Sequence, residues 1–459
     1  MKDKITIGLF VDTYFPTIDG VVTCVNQYAT HLKDKANVFV ACPKRRGHED
    51  NLGYEVIRCS ASKVPIIGYD YANPFGDTKF LNILKEKDID IIHIHSPFNM
   101  GKLGVQIAKE RKIPCVATMH SQYKYDFKKA TNSDPIANML LKTIMKTLNS
   151  VDELWAVNDN TEVLVRDYGY TGNSRVMLNA TEMRPLDNSV KAEVNELYGL
   201  KEDDRVLMFL GRMIEGKGIF FIAEVLNELK QKGFKFKMIF VGNGPDFDLL
   251  KDDIDRLKLN DDVILTGTLK DRTLIAKIYN RADLVIFPST YDTDGIIKYE
   301  AASQATPTLL LASSLAAGGI VDNENGFLST LDVSDFTNKI ISIFETPNLL
   351  TTVSKYVQTN LYRTWEERVD MAFDRYRELI EIKNKKNERQ RKRLQTIQNK
   401  GLEYERAKAI TKAKRQLKQN EKKQQQKASK IAKMQKSIAK KPKPTKKIIK
   451  TKPTKTTKK

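Results

Sequence analysis

The stretch Phe287–Pro307, FPSTYDTDGIIKYEAASQATP, carries the densest structural signal in the chain. It follows an apolar run, Leu284-Val285-Ile286-Phe287, of the kind that forms a buried strand. Pro288-Ser289-Thr290 breaks that strand, and Asp292-Thr293-Asp294-Gly295 makes a short acidic loop. Beyond it Ile297, Glu300, Ala301 and Gln304 recur at helical spacing. A strand leading through a glycine loop into a helix leaves unpaired backbone N–H groups at the helix start, where partial positive charge suits a phosphate. Glu300, one to two turns in, is placed to accept a pair of vicinal hydroxyls such as a ribose offers. An ordinary capped β-loop-α unit would show the same pattern, so its meaning depends on what lies upstream.

Upstream the unit repeats. Apolar runs at Ile5–Val11, Val38–Ala41, Ile91–Ile94, Cys115–Thr118 and Leu154–Val157 alternate with helix-like stretches at Thr23–His31, Lys79–Glu86 and Gly104–Arg111. A second series has strands at Val206–Leu210, Met238–Val241, Val263–Leu265, Leu284–Phe287 and Thr308–Leu311. The pattern lapses around Thr181–Lys201, which reads as a linker. Alternation of this kind predicts α/β architecture: two Rossmann-like, doubly wound domains with strand ends facing across a cleft. The expected division is 1–185 for the first domain and 186–361 for the second. One helix over 362–382 follows, with Trp365, Val369, Phe373 and Tyr376 on one face, and it is expected to cross back to the first domain. A Lys-rich tail, 383–459, ends the chain.

Net charge needs to be located before it is interpreted. The chain carries +20, from 77 Lys+Arg against 57 Asp+Glu. From Lys383 onward there are 30 basic and 4 acidic residues, which leaves 47 against 53 in the body. A mildly acidic globular body therefore bears a strongly cationic tail. Residues 383–440 favour helix, but Leu394, Ile397, Ile410, Leu417, Ile431 and Ile438 are too sparse to make a core. Lys441–Lys459, rich in Lys, Pro and Thr, reads as disordered. Such a tail attracts polyanions. With Tyr404 as its sole aromatic residue it lacks stacking groups, which disfavours a nucleic-acid purpose, and an anionic membrane surface or simple solubilisation remain as readings. Pro135–Leu148 places Ile136, Met139, Leu140, Ile144 and Leu148 on one face beside Lys142 and Lys146, either an interfacial helix or a core helix.

Cys24, Cys42, Cys59 and Cys115 show no CxxC spacing and read as reduced, buried thiols. MKDKITIGLFVD runs straight into a strand, so no signal peptide is expected, and no apolar run approaches the ~20 residues that span a bilayer. These features predict a cytoplasmic protein, peripherally associated with the inner face of the cell membrane.

Several residues fall where strand ends should meet the cleft. Gly211-Arg212 follows a strand, with Lys217-Gly218 soon after, and two permanent cations there suit a diphosphate leaving group. Asp19-Gly20-Val21-Val22 opens a helix after the first strand, where the Gly20 backbone can approach a phosphate. Asp12 and Asp19 are each a base or a helix cap. His120 stands just past Cys115–Thr118. His93 and His95 have the spacing of a metal pair but no third ligand in view, so they read as a strand-packing and a loop residue, and no metal site is expected.

Together these pieces resemble the retaining glycosyltransferases of the GT-B fold, family 4, the group that includes bacterial diacylglycerol glucosyltransferases. The resemblance spans about Ile5–Glu381 and rests on DTYFPTIDGVV, HIHSPFNMG, ATMHSQY, Asn179 of MLNAT, FLGRMIEGKG, VGNGPD and the Phe287–Pro307 stretch. It implies transfer of a hexose, glucose first, from a nucleotide sugar such as UDP-glucose to a lipid such as diacylglycerol, with retention. A polysaccharide, teichoic acid or protein acceptor is the alternative, and a catalytically weakened polyanion-binding module is a third reading. The nucleotide sugar would be a substrate, with no cofactor. Matching positions assign donor binding to Gly20, Gly211, Arg212, Lys217, Gly295, Ile296 and Glu300, and place His120 and Asp292 at the transferred sugar. Three positions depart from the family pattern. Asp292 stands where a glutamate is usual, Ala305 where glycine is common, and Lys298 adds a positive charge near the donor.

Overall fold

The computed structural model describes residues 4–63 and 70–438. They form two compact units, Met1–Asn384 and Lys385–Lys459. The first unit contains two parallel sheets. Its strands in chain order are β1 (Thr6–Phe10), β2 (Asn37–Pro43), β3 (Glu55–Cys59), the short hairpin β4 (Ala61–Lys63) and β5 (Asp70–Ala72), β6 (Ile91–Ile94), β7 (Cys115–Met119), β8 (Glu153–Ala156) and β9 (Ser174–Val176). The second series is β10 (Val206–Leu210), β11 (Lys237–Val241), β12 (Val263–Leu265), β13 (Leu284–Phe287), β14 (Thr308–Leu311) and β15 (Phe327–Ser329). The first sheet is ordered β3-β2-β1-β6-β7-β8-β9 and the second β12-β11-β10-β13-β14-β15. Their central strands are buried on both faces, which is why they read as continuous Val/Ile/Leu/Phe runs.

In each sheet the strand order reverses at one seam, β1/β6 and β10/β13. Loops leaving such a seam splay apart and open a crevice beyond the carboxyl ends of the strands. The segments after β1, β10 and β13 hold most of the residues singled out from sequence. The GT-B class is thus the observed one. Strands β3, β9 and β15 and the hairpin escaped the sequence reading because they are short or mixed in polarity. The supposed linker contains a helix, Lys191–Tyr198, in which only Val194 is buried, too little apolar surface to leave a periodic signal.

Two helices fix the first sheet. Gly20–Leu32 starts at Asp19, whose carboxylate accepts from Val22 N–H at 2.8 Å, and buries Val22, Cys24, Val25, Tyr28, Ala29 and Leu32. Asp19 is therefore a cap, not a base. A long helix, Trp365–Ile438, begins by laying Trp365, Val369, Ala372, Tyr376 and Leu379 into the same core as Ile7, Leu9 and Val25. Each large aliphatic side chain so buried contributes about 1.5–3 kcal/mol. Ala372 and Leu379 join the expected face, and Phe373 sits at its margin. Arg375 on this helix donates from Nε to the Glu153 carboxylate of β8 at 3.0 Å, and Trp155 Nε1 donates to the same group at 2.8 Å.

The helix Asp134–Leu148 divides the apolar face expected of it. Ile144 and Leu148 join the core with Ala137, Leu141 and Met145, whereas Ile136 and Met139 point outward at 43% and 60% exposure. In the second unit the chain is helical as far as Ile438, and Leu394, Ile397, Ile410 and Ile431 are all exposed. Helix-forming composition, not packing, accounts for that helix. The reading of Lys441–Lys459 lies outside the described residues.

Glu153 is 4% exposed, so removing Arg375 leaves its buried charge to Trp155 and to the more distant Arg175, whose Nε lies 3.8 Å away. Arg375→Ala should destabilise the chain by about 3 kcal/mol, as breaking a buried pair does, measured by urea denaturation. A change below about 1 kcal/mol would show that this clamp is ornamental.

Candidate active site

The loop after β10 is shaped by glycines. At Gly244 an added Cβ would lie 2.3 Å from the Met213 carbonyl oxygen, so only glycine lets the Gly242–Asp246 turn close over Gly211–Met213. Gly218, at φ +78°, plays the same part against Pro288: its Cβ would meet that carbonyl oxygen at 2.7 Å. The contact pins the Lys217 loop to the start of the β13 loop. Lys217 Nζ then reaches Asp292 Oδ1 at 2.7 Å, above the Phe287 ring. Ser289 Oγ donates to the other Asp292 oxygen at 2.6 Å. Arg212, on the same loop, is exposed and bonds to no other described residue.

Beyond Asp292 the chain turns at Gly295, whose φ of +67° suits glycine. The N–H groups of Gly295 and Ile296 donate to no acceptor among the described residues. Glu300 lies in the first turn of the helix Ile297–Ser303 and is 8% exposed. It is held by Arg272 and by Tyr279 OH, which donates at 3.1 Å. Arg272 and Tyr279 carry no motif, and nothing in the sequence tied them to Glu300.

Across from these loops stand residues of the first sheet. Gly20 has open space where a side chain would be. Asp12 accepts from Met100 N–H at 3.0 Å and from Ser96 Oγ at 2.7 Å, so it braces the helix Asn99–Arg111. Burial raises its pKa to about 6, against those hydrogen bonds. His120 is half-buried, and its Nε2 shares a hydrogen bond with His95 Nδ1 at 3.1 Å. Burial lowers the His120 pKa to about 4, with Asp294 opposing, so the ring is neutral near pH 7. His95 follows β6 as the loop residue expected, and it is fully buried. His93 packs in its strand, bonded to Tyr376 OH at 2.6 Å and Thr118 Oγ1 at 2.7 Å. All four cysteines are buried free thiols.

The two halves meet through Asp294. One of its oxygens takes Lys298 Nζ at 2.8 Å, Asn158 Nδ2 at 3.0 Å and Tyr299 OH at 3.2 Å; the other takes Asn179 Nδ2 at 2.8 Å. Asn158 also donates to the Thr293 and Leu315 carbonyls, and Gln122 Nε2 reaches the Tyr291 carbonyl at 3.1 Å. Lys298 corrects the sequence reading. It is 1% exposed and spends its charge on Asp294 and on the carbonyls of Ala316 and Gly318, so it does not add to the donor-side field. The structure thus joins Lys217 to Asp292 and His120 to His95, while Glu300 is clasped within its own half.

Two family models cover most of the first unit. Residues 18–182 match Glycosyltransferase Family 4, and residues 190–360 match Glycosyl transferases group 1. The chain is 29% identical over 312 residues to an alpha-monoglucosyldiacylglycerol synthase of Streptococcus pneumoniae, covering 66% of this chain and 70% of that one. A protein of the same description from Acholeplasma laidlawii is 24% identical over 404 residues, 83% of this chain and 98% of its own. Among solved structures, a sucrose-phosphate synthase from Thermosynechococcus elongatus superposes with a TM-score of 0.68 at 18% identity. That match covers 83% of this chain and all of the other (100%).

Ala305 closes the helix that carries Glu300 with φ +59°, a conformation that disfavours any Cβ. Ala305→Gly should stabilise the chain by about 0.5–1 kcal/mol, read as a higher melting temperature. An unchanged or lower melting temperature would mean the alanine carries no strain.

Proposed function

We propose that this chain, which belongs to the glycosyltransferases of the GT-B fold, moves a hexose from a nucleoside-diphosphate sugar to a lipid. The donor is UDP-glucose in the first instance, the acceptor diacylglycerol or a close relative, and the configuration is retained. The observation that carries the reading is the Lys217–Asp292 pair, which sets a cation and a carboxylate side by side at the seam of the second sheet. Its similarity to two alpha-monoglucosyldiacylglycerol synthases supports the lipid acceptor.

Each group then has a task. The diphosphate draws Lys217 and the uncommitted Arg212, with the N–H groups of Gly295 and Ile296 and the open backbone at Gly20 beside it. Glu300, steadied by Arg272 and Tyr279, accepts the ribose hydroxyls. Asp292 takes a hydroxyl of the transferred sugar. Its shorter side chain is compensated by Ser289, which fixes one oxygen and leaves the carboxylate oriented. His120, neutral and anchored by His95, lines the sugar on the other wall. The acceptor hydroxyl attacks from the face that the diphosphate leaves, and a phosphate oxygen takes its proton. Charge on the leaving group is balanced by Lys217 and Arg212, so transfer proceeds without a metal ion.

No described helix is long and apolar enough to cross a membrane. Recruitment is assigned to the cationic tail, each Lys or Arg near an anionic leaflet contributing about 1 kcal/mol. The outward Ile136 and Met139, beside exposed Lys142 and Lys146, add an apolar foothold on the first domain. The enzyme would work in the cytoplasm, on the inner face of the cell membrane.

Lys217→Ala should lower transfer by about 10²–10³-fold, as loss of a leaving-group contact does, and Glu300→Ala should act likewise, both with the wild-type melting curve. The assay supplies UDP-glucose, anionic vesicles with or without diacylglycerol, and EDTA. Nucleotide release that ignores diacylglycerol would move the search to a polymer or protein acceptor. Wild-type rates in either variant would sink the site. Removing Lys385–Lys459 should weaken flotation with anionic vesicles and leave the body folded; unchanged, salt-insensitive flotation would put membrane contact in the body alone.

A further inference from the structure

Strands β6 and β7 are neighbours in the first sheet, and each is followed at its carboxyl end by a histidine, His95 and His120. The two rings are stacked at 19°, and His95 Nδ1 meets His120 Nε2 at 3.1 Å. Burial lowers the pKa of both, His95 well below the usual histidine value and His120 to about 4, so both rings are neutral near pH 7. A neutral imidazole carries one N–H and one lone pair, and the bond between the rings uses one of each. Their protons are therefore coupled. If His95 Nδ1 donates, His120 carries its own proton on Nδ1. If His120 Nε2 donates, His95 carries its own on Nε2.

A second observation selects between these states. His95 is fully buried, and its Nε2 has no hydrogen-bond partner. The rings of Tyr28 and His93 flank it, with centroids 5.5 and 3.9 Å from its own. The Cys24 thiol, which burial keeps protonated, lies within 4.8 Å of a nitrogen of each histidine and brings a weak donor to the cluster. A proton on His95 Nε2 would be a buried N–H without an acceptor. Buried backbone shows how such groups rank: an orphaned N–H is rarer than an oxygen with a spare lone pair. An N–H resting on the Tyr28 ring recovers only a second-order part of the loss. The His95 proton thus belongs on Nδ1, and the shared bond runs from His95 to His120. That puts the His120 proton on its own Nδ1, which bonds to no described residue and belongs to a half-buried side chain.

We propose that His95 is a positioning residue that fixes the His120 tautomer, so that His120 offers the transferred sugar an N–H and not a lone pair. The group it takes is a hydroxyl oxygen of the hexose, and His95 itself touches no substrate. The sugar half rests on the function proposed above; the tautomer half does not. Asp292, as a carboxylate, can only accept. A donating His120 therefore gives the sugar site one group of each kind, and a hydroxyl that accepts from His120 keeps its own proton for another partner. With the opposite tautomer both walls would ask the sugar for protons.

The test uses the full chain with ¹⁵N-labelled histidine. The sequence holds five histidines, so proton–nitrogen correlations within the rings can be assigned with His95→Asn and His120→Ala as references. His95 and His120 should both show the Nδ1-protonated form. An Nε2-protonated His120, or an even mixture, overturns the proposal. His95→Phe removes the donor, so it should shift His120 toward the Nε2-protonated form and lower the transfer rate about fivefold or more, as loss of a directed hydrogen bond does. In a His120→Ala background the same substitution should change the rate by no more than about twofold, since its effect passes through His120. His95→Asn, whose amide N–H can stand where Nδ1 stands, should keep the His120 form and most of the rate. A His120 spectrum unmoved by His95→Phe, or a rate loss that persists without His120, makes His95 a packing residue and overturns the proposal. Melting curves identify a variant that fails to fold, and the wild-type spectrum then decides. If no donor or acceptor supports transfer, the proposed function has failed, and the spectrum still decides the tautomer.

Discussion

A buried carboxylate, Asp294, ties together the two sheet-bearing halves of the first unit. It is 5% exposed and satisfied on both oxygens, by Lys298 and Tyr299 from its own half and by Asn158 and Asn179 from the other. Burying a charge is costly unless it is paired and hydrogen-bonded, so each partner must stay in place for the others to be worth keeping. The strand seams alone would make two crevices. Asp294 ties one to the other, because its loop runs on through Gly295 and Ile296 into the helix that carries Glu300. The contacts that join the halves therefore also hold the segment that carries Gly295, Ile296 and Glu300.

The same economy appears on the opposite wall. Tyr376 of the returning helix bonds to His93, His93 lies against His95 with ring centroids 3.9 Å apart, and His95 holds His120. A residue of the last helix thus supports the wall where sugar is proposed to sit. Glu153 and Arg375 fasten that helix to β8, so the cleft's first-domain side is braced from behind by a segment remote in sequence.

How far the chain was legible from its residues follows from what each signal depends on. Parallel strands buried on both faces announce themselves as apolar runs, and the two series could be counted with most boundaries within a residue or two. Glycine loops after strands located Arg212, Lys217, Gly295 and Glu300, since loop position is a local property. Pairings were not legible. Lys298 has the spacing of an i,i+4 pair with Asp294, but its burial depends on Ala316 and Gly318, so it was misread as a donor-side cation. Arg272 and Tyr279 became visible only when folding brought them to Glu300. Ala305 was legible as a departure, and its left-handed backbone explains why glycine is the easier residue there.

The Lys217–Asp292 bridge has a bearing on what the cleft admits. In the free chain that ammonium is already neutralised at 2.7 Å, with both groups less than one-fifth exposed. Any newcomer must outbid a carboxylate fixed in place by Ser289. A lone phosphate monoester competes as one anionic group against another; a diphosphate brings two phosphoryl groups and can engage Arg212 in the same step. Under the proposed function the bridge would act as a threshold, yielding to a bidentate guest more readily than to a single anionic group.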